Sequence, residues 1–181
     1  MTVSIDDLQP DSISAGFSAQ ASFDQLFQAH WERIYAVVFR IVGDPAEAED
    51  LALESFWKLY RAARVDNPVG WLYRVATNLA LNALRDGERR ASYEQDAGKI
   101  HLQESTVSPA EEAERNEQRA QVRGVLAQMR PRAAKVLILR HSGLSYRQIA
   151  TAVNVSPNSV GTLLSRAEAT FERRYRALEE D

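Results

Sequence analysis

The stretch Ser145–Arg166 constrains the fold of this chain more than any other, because it carries the signals of two short helices joined by a tight turn. Ser145 followed three residues later by Gln148 has the spacing of a capping box, which predicts a helix start. Asn154 falls where the turn needs a residue that tolerates positive φ, and Ser156–Pro157 predicts a second helix start. The pattern is typical of a helix-turn-helix; an αα-hairpin within a helical bundle is the alternative interpretation.

The second of these helices has an apolar side and a polar side. Val160, Leu163 and Ala167 form the predicted inward stripe. The outward side carries short groups that would let the helix lie close to a DNA groove and hydrogen-bond there, namely Asn158, Ser159, Gly161, Thr162, Ser165 and Arg166. Residues 116–181 hold eleven Lys or Arg and six Asp or Glu, a net charge of +5 within a chain of total charge −3. The basic surplus therefore lies on the segment with the hairpin, as phosphate binding requires.

Helical periodicity runs through most of the chain, and no alternating strand pattern of useful length appears. We predict an all-α fold of two helical modules joined by a flexible linker. Three helices within residues 22–90 form the first module, and four within residues 116–178 form the second. Residues 1–21 are polar and aperiodic, which predicts a mobile tail. The acidic segment 91–115 is the predicted linker.

The composition excludes several classes of site. The chain has no cysteine, so disulfides and thiolate metal sites are ruled out. We find no metal-spaced His, Asp or Glu set, no glycine-rich phosphate loop and no nucleophile string, so we expect no enzyme, no catalytic residue, no metal and no cofactor. The N-terminus lacks a basic and apolar leader, and no 18-residue apolar span exists. We expect a cytoplasmic protein without membrane insertion.

Acidic side chains gather at the start of the second predicted helix, at Glu47, Glu49, Asp50 and Glu54. Carboxylates near a helix N-terminus interact favourably with the helix macrodipole, which explains Glu47 well. Glu54 lies too far along the helix for that effect. A partner surface that binds carboxylates explains the whole cluster better.

Three strings, in this order, resemble the extracytoplasmic-function sigma factors, the small class of bacterial RNA polymerase sigma subunits. AEDLALESFWKLY at 48–60 is similar to the core-binding helix of region two. NPVGWLYRVATNLALNALR at 67–85 is similar to the strand-opening helix, and SYRQIATAVNVSPNSVGTLLSR at 145–166 to the region-four helix-turn-helix. The resemblance assigns residues 22–90 to region two and 116–178 to region four.

The resemblance implies a role for each matched residue. Contact with the clamp helices of the largest polymerase subunit falls to Asp50, Leu51, Glu54, Phe56 and Leu59. Contact with minus-ten DNA falls to the loop that receives a flipped base and to the helix beside the melted strand. The matched residues there are Arg61, Arg64, Asn67, Trp71, Arg74, Asn78, Asn82 and Arg85. Binding in the minus-35 major groove falls to Arg147, Asn158, Ser159, Gly161, Thr162, Ser165 and Arg166.

The implied function is promoter-specific transcription initiation, for a stress or envelope-response regulon. The implied partners are core RNA polymerase, through its clamp helices and flap region, promoter DNA, and an anti-sigma factor that holds the two modules together. The two promoter elements lie roughly two helical turns apart in the family, about 60–70 Å. The alternatives are a stand-alone helix-turn-helix regulator that does not bind polymerase, and a purely helical interaction protein.

The chain departs from the family pattern at several positions. Leu53 replaces the usual Gln of the core-binding string, and Leu164 replaces the usual Lys or Arg before the Ser-Arg pair. Glu168 and Ala169 stand where another basic residue is frequent. We therefore expect weaker minus-35 binding, or a greater dependence on Arg147, Arg166 and the group Arg173, Arg174 and Arg176. Because the net charge is negative, we also expect the free chain to bind duplex DNA poorly.

Overall fold

The computed structural model describes residues 11–62, 64–96 and 109–179, and these residues form seven α-helices and no strand. The first three helices are α1 (Asp11–Val42), α2 (Pro45–Arg61) and α3 (Pro68–Asp96). The last four are α4 (Pro109–Gln128), α5 (Pro131–His141), α6 (Tyr146–Val153) and α7 (Pro157–Glu179). The all-α fold class is confirmed.

Local capping chemistry sets where the helices of the first module begin. Gly43 takes φ +82°, a left-handed conformation that ends α1 at low cost. Asp44 then caps α2, because its Oδ1 accepts a 2.7 Å bond from the backbone N–H of Glu47. Asn67 caps α3 in the same way, accepting a 2.9 Å bond from Gly70 N–H.

Each module has apolar helix faces packed on one another. In the first module α1, α2 and α3 pack pairwise, and their largest fully buried side chains include Ile34, Ile41, Phe56, Leu72 and Leu81. In the second module α5 and α6 pack on α7, and α4 also contacts α7. Its buried side chains include Val125, Val136, Leu139, Ile149 and Val160.

The two modules also contact each other. Helix α3 packs against α4 and α6, and α1 touches α5. The strand-opening helix of the resemblance therefore lies against the helix-turn-helix module. This arrangement brings residues more than 40 positions apart in sequence into hydrogen-bond contact, as between Arg85 and Ala127.

Two boundaries differ from the sequence prediction. Helix α1 begins at Asp11, within the segment predicted as a mobile tail, and residues 1–10 lie outside the described residues. Extension of an existing helix adds one hydrogen bond per residue without a new nucleus, so a strong helix continues into a neighbouring alanine- and serine-rich segment. Helix α3 runs on to Asp96 and α4 starts at Pro109, so both enter the predicted linker 91–115, and residues 97–108 lie outside the described residues.

Candidate nucleic-acid and protein interfaces

The helix-turn-helix has the geometry that the sequence predicts. Ser145 and Gln148 form a complete capping box at the start of α6. Asn154 adopts the left-handed conformation with φ 55° at the turn, and its N–H closes the end of α6. Ile149 and Ala150 of α6 are buried, so the two helices approach closely at the turn. A supporting helix and a second helix are thus fixed at a defined angle, as groove binding needs.

The outward side of α7 is polar and accessible. Ser159, Thr162, Ser165 and Arg166 are exposed, as are Asn158 and, on α6, Arg147. Gly161 is half-buried, and a Cβ there would lie 3.8 Å from Tyr146 Cε2, which is ordinary van der Waals contact. The short side chains leave the backbone of α7 near the surface. That is the shape a helix needs to enter a major groove.

Leu164 does not lie on this outward side. Its side chain is only 4% exposed and belongs to the core that Val160 and Ala167 share. The expectation that Leu164 marks a missing DNA-contacting charge is therefore wrong, because this position packs inside the module. Ala169 is exposed, so the replacement there leaves a real gap in surface charge.

The carboxylates of α2 face solvent. Asp50 is exposed, and the Glu54 side chain is 43% exposed. Glu54 Oε1 lies 3.2 Å from Lys58 Nζ, an i,i+4 pair on the helix surface. Such exposed pairs stabilise a helix by only about 0.3–0.5 kcal/mol, so this pair leaves Glu54 free to bind a partner. Both carboxylates can reach another protein.

The apolar residues of the same helix separate into a core side and an exposed side, and this corrects the sequence interpretation. Phe56 is 2% exposed and Leu59 9%, so both support the fold instead of facing a partner, while Leu51 is half-buried. The exposed apolar side chains are Leu53 at 44%, Trp57 at 57% and Tyr60 at 50%.

Sequence reasoning missed the exposed group Leu53, Trp57 and Tyr60, which we call the α2 aromatic patch. Trp57 and Tyr60 stack with ring centroids 5.8 Å apart, and the Arg61 guanidinium lies 5.9 Å from the Trp57 ring. Exposed clustered aromatics are typical of protein-binding surfaces. Leu53 and Trp57 have i,i+4 spacing and lie on a different side of α2 from the buried residues Phe56 and Leu59. This spacing is the sequence signal from which the patch could have been predicted.

The predicted minus-ten residues do not all share one free surface. Arg61, Arg64 and Asn82 are exposed, while Trp71 and Arg74 are half-buried. Asn67 is exposed but uses its side-chain oxygen to cap α3. Asn78 and Arg85 are half-buried because they bond to the second module.

Arg85 is held by the end of α4. Its Nε donates a 3.0 Å bond to the Ala127 carbonyl, and its Nη2 donates a 3.1 Å bond to the Met129 carbonyl. Beside it, Lys135 Nζ donates to Asn78 Oδ1. Burial lowers the pKa of Lys135 from its usual 10.5, and nearby Arg85, Arg132 and Arg74 lower it further. Cations therefore crowd this contact.

No group of three or more metal-ligating side chains occurs in the part of the chain that the structure describes. Over the same residues, every helix is too short or too polar to cross a bilayer.

Comparisons with known proteins agree with the geometry. The sequence-family model for Sigma-70 region 2 matches residues 26–90 of this chain. The family model for Sigma-70, region 4 matches residues 119–171. The RNA polymerase sigma-H factor of Pseudomonas aeruginosa is 31% identical over 173 residues, which cover 87% of this chain and 88% of that protein. The probable ECF RNA polymerase sigma factor SigI of Mycobacterium tuberculosis is 32% identical over 148 residues, covering 78% of this chain and 51% of that protein.

The chain thus spans about half the length of SigI. Among solved structures, CnrH in complex with the cytosolic domain of CnrY matches with a TM-score of 0.59 and 20% identity, over 93% of this chain and 99% of that one. This likeness supports the fold. With both region models matched in order and a relative aligned along nearly its whole length, the chain belongs to the sigma-70 family of RNA polymerase sigma factors, in the extracytoplasmic-function (ECF) group.

Proposed function

We propose that this chain binds core RNA polymerase in the cytoplasm and directs promoter-specific initiation of transcription. The observation that carries the proposal is the pairing of two different surfaces on one chain. Helix α2 presents carboxylates and an aromatic patch suited to a protein, and α7 presents short polar groups suited to a DNA groove. A stand-alone DNA-binding regulator needs only the second surface.

The proposed polymerase contact joins Asp50, Glu54 and the α2 aromatic patch. Carboxylates on a rim steer association and fix orientation, whereas truncation of a large exposed aromatic usually costs the most affinity. Asp50 and Trp57 are both on accessible parts of α2. We propose that Trp57 contributes most of the binding free energy at this surface. The carboxylates of Asp50 and Glu54 set the orientation of the complex.

The proposed promoter contacts are those that the resemblance implies, and Leu164, which is buried, does not mark a missing one. Arg166 is the one permanently charged group among the exposed outward positions of α7, so it is the proposed phosphate or base ligand there. Arg61 and Arg64 are exposed beside the loop that precedes α3, where a flipped base of the minus-ten element would be received.

A second proposed protein-binding surface is an apolar cavity of about 520 Å³ that is formed mainly by the second module and is also lined by Arg40 of α1. Its apolar lining comes from α4, α5 and α7: Val122, Leu126, Leu137, Ile138 and Phe171. We assign it to the polymerase flap. An anti-sigma factor that covers this cavity or the α2 aromatic patch would compete with polymerase, and CnrH is a solved example of this fold in complex with a protein domain.

Run-off transcription with purified core polymerase tests the function. We expect the chain to confer specific start sites on core polymerase, and Asp50→Lys to reduce the product by reversing a charge at the proposed contact. Asp24→Lys is the matched control, since Asp24 is an exposed acid on α1 of the same module. Operator binding by the free chain without any association with core polymerase would favour the stand-alone regulator and overturn the proposal.

A further inference from the structure

The exposed side of α2 has the features of a surface that can pack against a second copy of itself. We propose that two free chains associate through their α2 helices, packed antiparallel around a two-fold axis, with the α2 aromatic patch at the centre of the interface. The association rests on the sequence and surface of α2 alone. Only its competition with polymerase rests on the proposed function.

A single stripe of residues runs along the exposed side of α2. Ala46, Asp50, Leu53, Trp57 and Tyr60 follow one another at alternating steps of four and three residues, and each of them is exposed. This alternation keeps side chains on one side of a helix and is the spacing found at the seam between two packed helices. The other side of α2 packs on α1 and α3. The stripe is therefore a helix-packing face that the seven described helices leave exposed.

The charges of α2 are divided between its two ends. All of its acids precede both of its bases, in the order Glu47, Glu49, Asp50, Glu54, Lys58 and Arg61. Two parallel copies would bring acid against acid and base against base, which is unfavourable. Two antiparallel copies bring the acidic end of each helix to the basic end of the other. The charge pattern therefore selects a second copy in the antiparallel arrangement.

The antiparallel arrangement also brings the apolar side chains together. With the two-fold axis beside residue 55, Leu53 of one copy faces Trp57 of the other, and symmetry makes this contact twice. In the same register Asp50 lies within one helical turn, along the axis, of the second copy's Arg61. The interface then has an apolar centre and charged pairs at both ends, which is the usual anatomy of a specific protein contact.

The Trp57 ring is held in place before any partner arrives. It stacks on Tyr60, and the Arg61 guanidinium lies 5.9 Å from its centroid. A side chain that is already ordered loses little conformational entropy when it is buried in an interface. One helix face offers a small contact area, and interfaces below about 1,200 Å² form weak, transient complexes. We therefore expect an equilibrium between monomer and dimer and not a permanent dimer.

The dimer would cover the surface that the proposed function gives to polymerase. Asp50, Glu54 and Trp57 take part in both contacts, and one α2 helix cannot pack on a second copy and on polymerase at once. Self-association therefore removes chains from the pool that polymerase can bind. By mass action, the effect grows with the concentration of the free chain.

Sedimentation velocity of the full chain tests the association in the absence of polymerase. We expect the average mass to rise with concentration from the 20.3 kDa of the monomer towards twice that value. Trp57→Ala should raise the dissociation constant of the dimer at least about tenfold, as the loss of a central aromatic does. A parent chain that stays monomeric up to about 1 mM, the weak end of the affinity scale, would overturn the inference.

Charge exchange tests the antiparallel arrangement. Asp50→Lys places a second cation near Arg61 at both ends of the symmetric interface, so we expect a dimer that is about three- to tenfold weaker. Arg61→Glu should have the same effect, and the double variant should dimerise about as well as the parent because each pair is rebuilt with its signs exchanged. Glu117→Lys, which changes an exposed acid on α4, is the control and should have no effect. A double variant as weak as the single variants would overturn the arrangement.

Single cysteines locate the two-fold axis, because the chain has none of its own. Glu54→Cys lies beside the axis, so two copies should become linked by a disulfide under mild oxidation. Ala46→Cys lies on the same stripe but about 27 Å along the axis from its counterpart, at 1.5 Å per residue, and should stay unlinked. Linkage at position 46 and none at position 54 would contradict the antiparallel dimer.

Addition of core polymerase separates this inference from the proposed function. We expect the dimer to disappear as complexes with one chain per polymerase form. A chain that dimerises but never binds polymerase would refute the proposed function and leave the dimer standing. Polymerase bound to an intact dimer would refute the competition for α2.

Discussion

Trp57 and Tyr60 stack on the outer side of α2 with their ring planes 20° apart, although both side chains are at least half exposed. We predict that Trp57→Ala lowers the affinity for core polymerase by at least about tenfold, since aromatic hot spots cost about 2 kcal/mol or more when truncated. Thermal stability should change little. Titration of labelled core polymerase measures the effect, and Phe39→Ala, another exposed aromatic of the first module, is the control. Equal losses from both variants would argue against a specific patch.

Phe56 precedes Trp57 in the sequence, but its truncation should reduce the stability of the fold and not the affinity for polymerase directly. Its side chain is 2% exposed and contacts the rings of Phe27 and Trp31. Phe56→Ala leaves a cavity, and we predict a loss of about 3–5 kcal/mol in the free energy of unfolding. Urea denaturation measures it. A stable Phe56→Ala variant that fails to bind polymerase would restore Phe56 to the binding surface.

Arg166 should carry a measurable share of the electrostatic binding to the minus-35 element. We predict that Arg166→Ala, in the holoenzyme, reduces the slope of log affinity against log salt concentration by about one unit. Arg115→Ala, which removes an exposed arginine from α4, should leave the slope unchanged. Equal promoter binding by Arg166→Ala and the parent at moderate salt would refute the assignment.

Gly70 and Thr151 form a steric pair that a double-mutant comparison can test. We predict that Gly70→Ala enlarges the radius of gyration of the free chain, because the added Cβ overlaps Thr151 Cγ2. Thr151→Ala removes that methyl group and should restore part of the compact form in the double variant. Scattering from the four proteins measures this. An unchanged radius in Gly70→Ala would show that the contact is not populated.

His30 gives the first module a pH dependence of known sign. Burial lowers the His30 pKa below its usual 6.5, and Arg33 lowers it further. The unfolded chain therefore binds the proton more readily, so this contribution to stability is full above pH 6.5 and is lost as pH falls through the lowered pKa. Lowering the pH from about 7.5 to about 5.5 should reduce the Tm of the parent more than that of His30→Gln. Calorimetry at both pH values decides it.

Helix identity and helix starts follow from local chemistry, which is why they could be predicted. Caps at Asp44, Asn67 and Ser145, and the left-handed turn at Asn154, depend on residues within four positions of one another. These signals do not depend on the rest of the fold.

The inner and outer sides of α2 could not be predicted with the same accuracy. Apolar residues at 51, 53, 56, 57, 59 and 60 cover more than half of the helix circumference. The helical periodicity of these residues therefore does not show which of them are buried in the core. Burial of Phe56 and exposure of Trp57 follow from where α1 packs.

The contact between the modules was beyond local reasoning altogether. Arg40, Arg85 and Lys135 look like ordinary surface cations in the sequence, and their acceptors are mostly backbone carbonyls, which have no sequence signature. The sequence alone likewise gives no reason for a glycine at position 70. The reason appears only in the structure, where Thr151 lies opposite Gly70.

The buried position of Leu164 sets a limit on exchanging promoter preference between relatives. A graft of the basic residue that the family usually carries there would place an ammonium or guanidinium group in a site that is 4% exposed, and the fold would be damaged before any base is contacted. A change of promoter preference by helix exchange must therefore replace the neighbouring helices together with α7. The core packing around position 164 then changes together with the DNA-contacting surface.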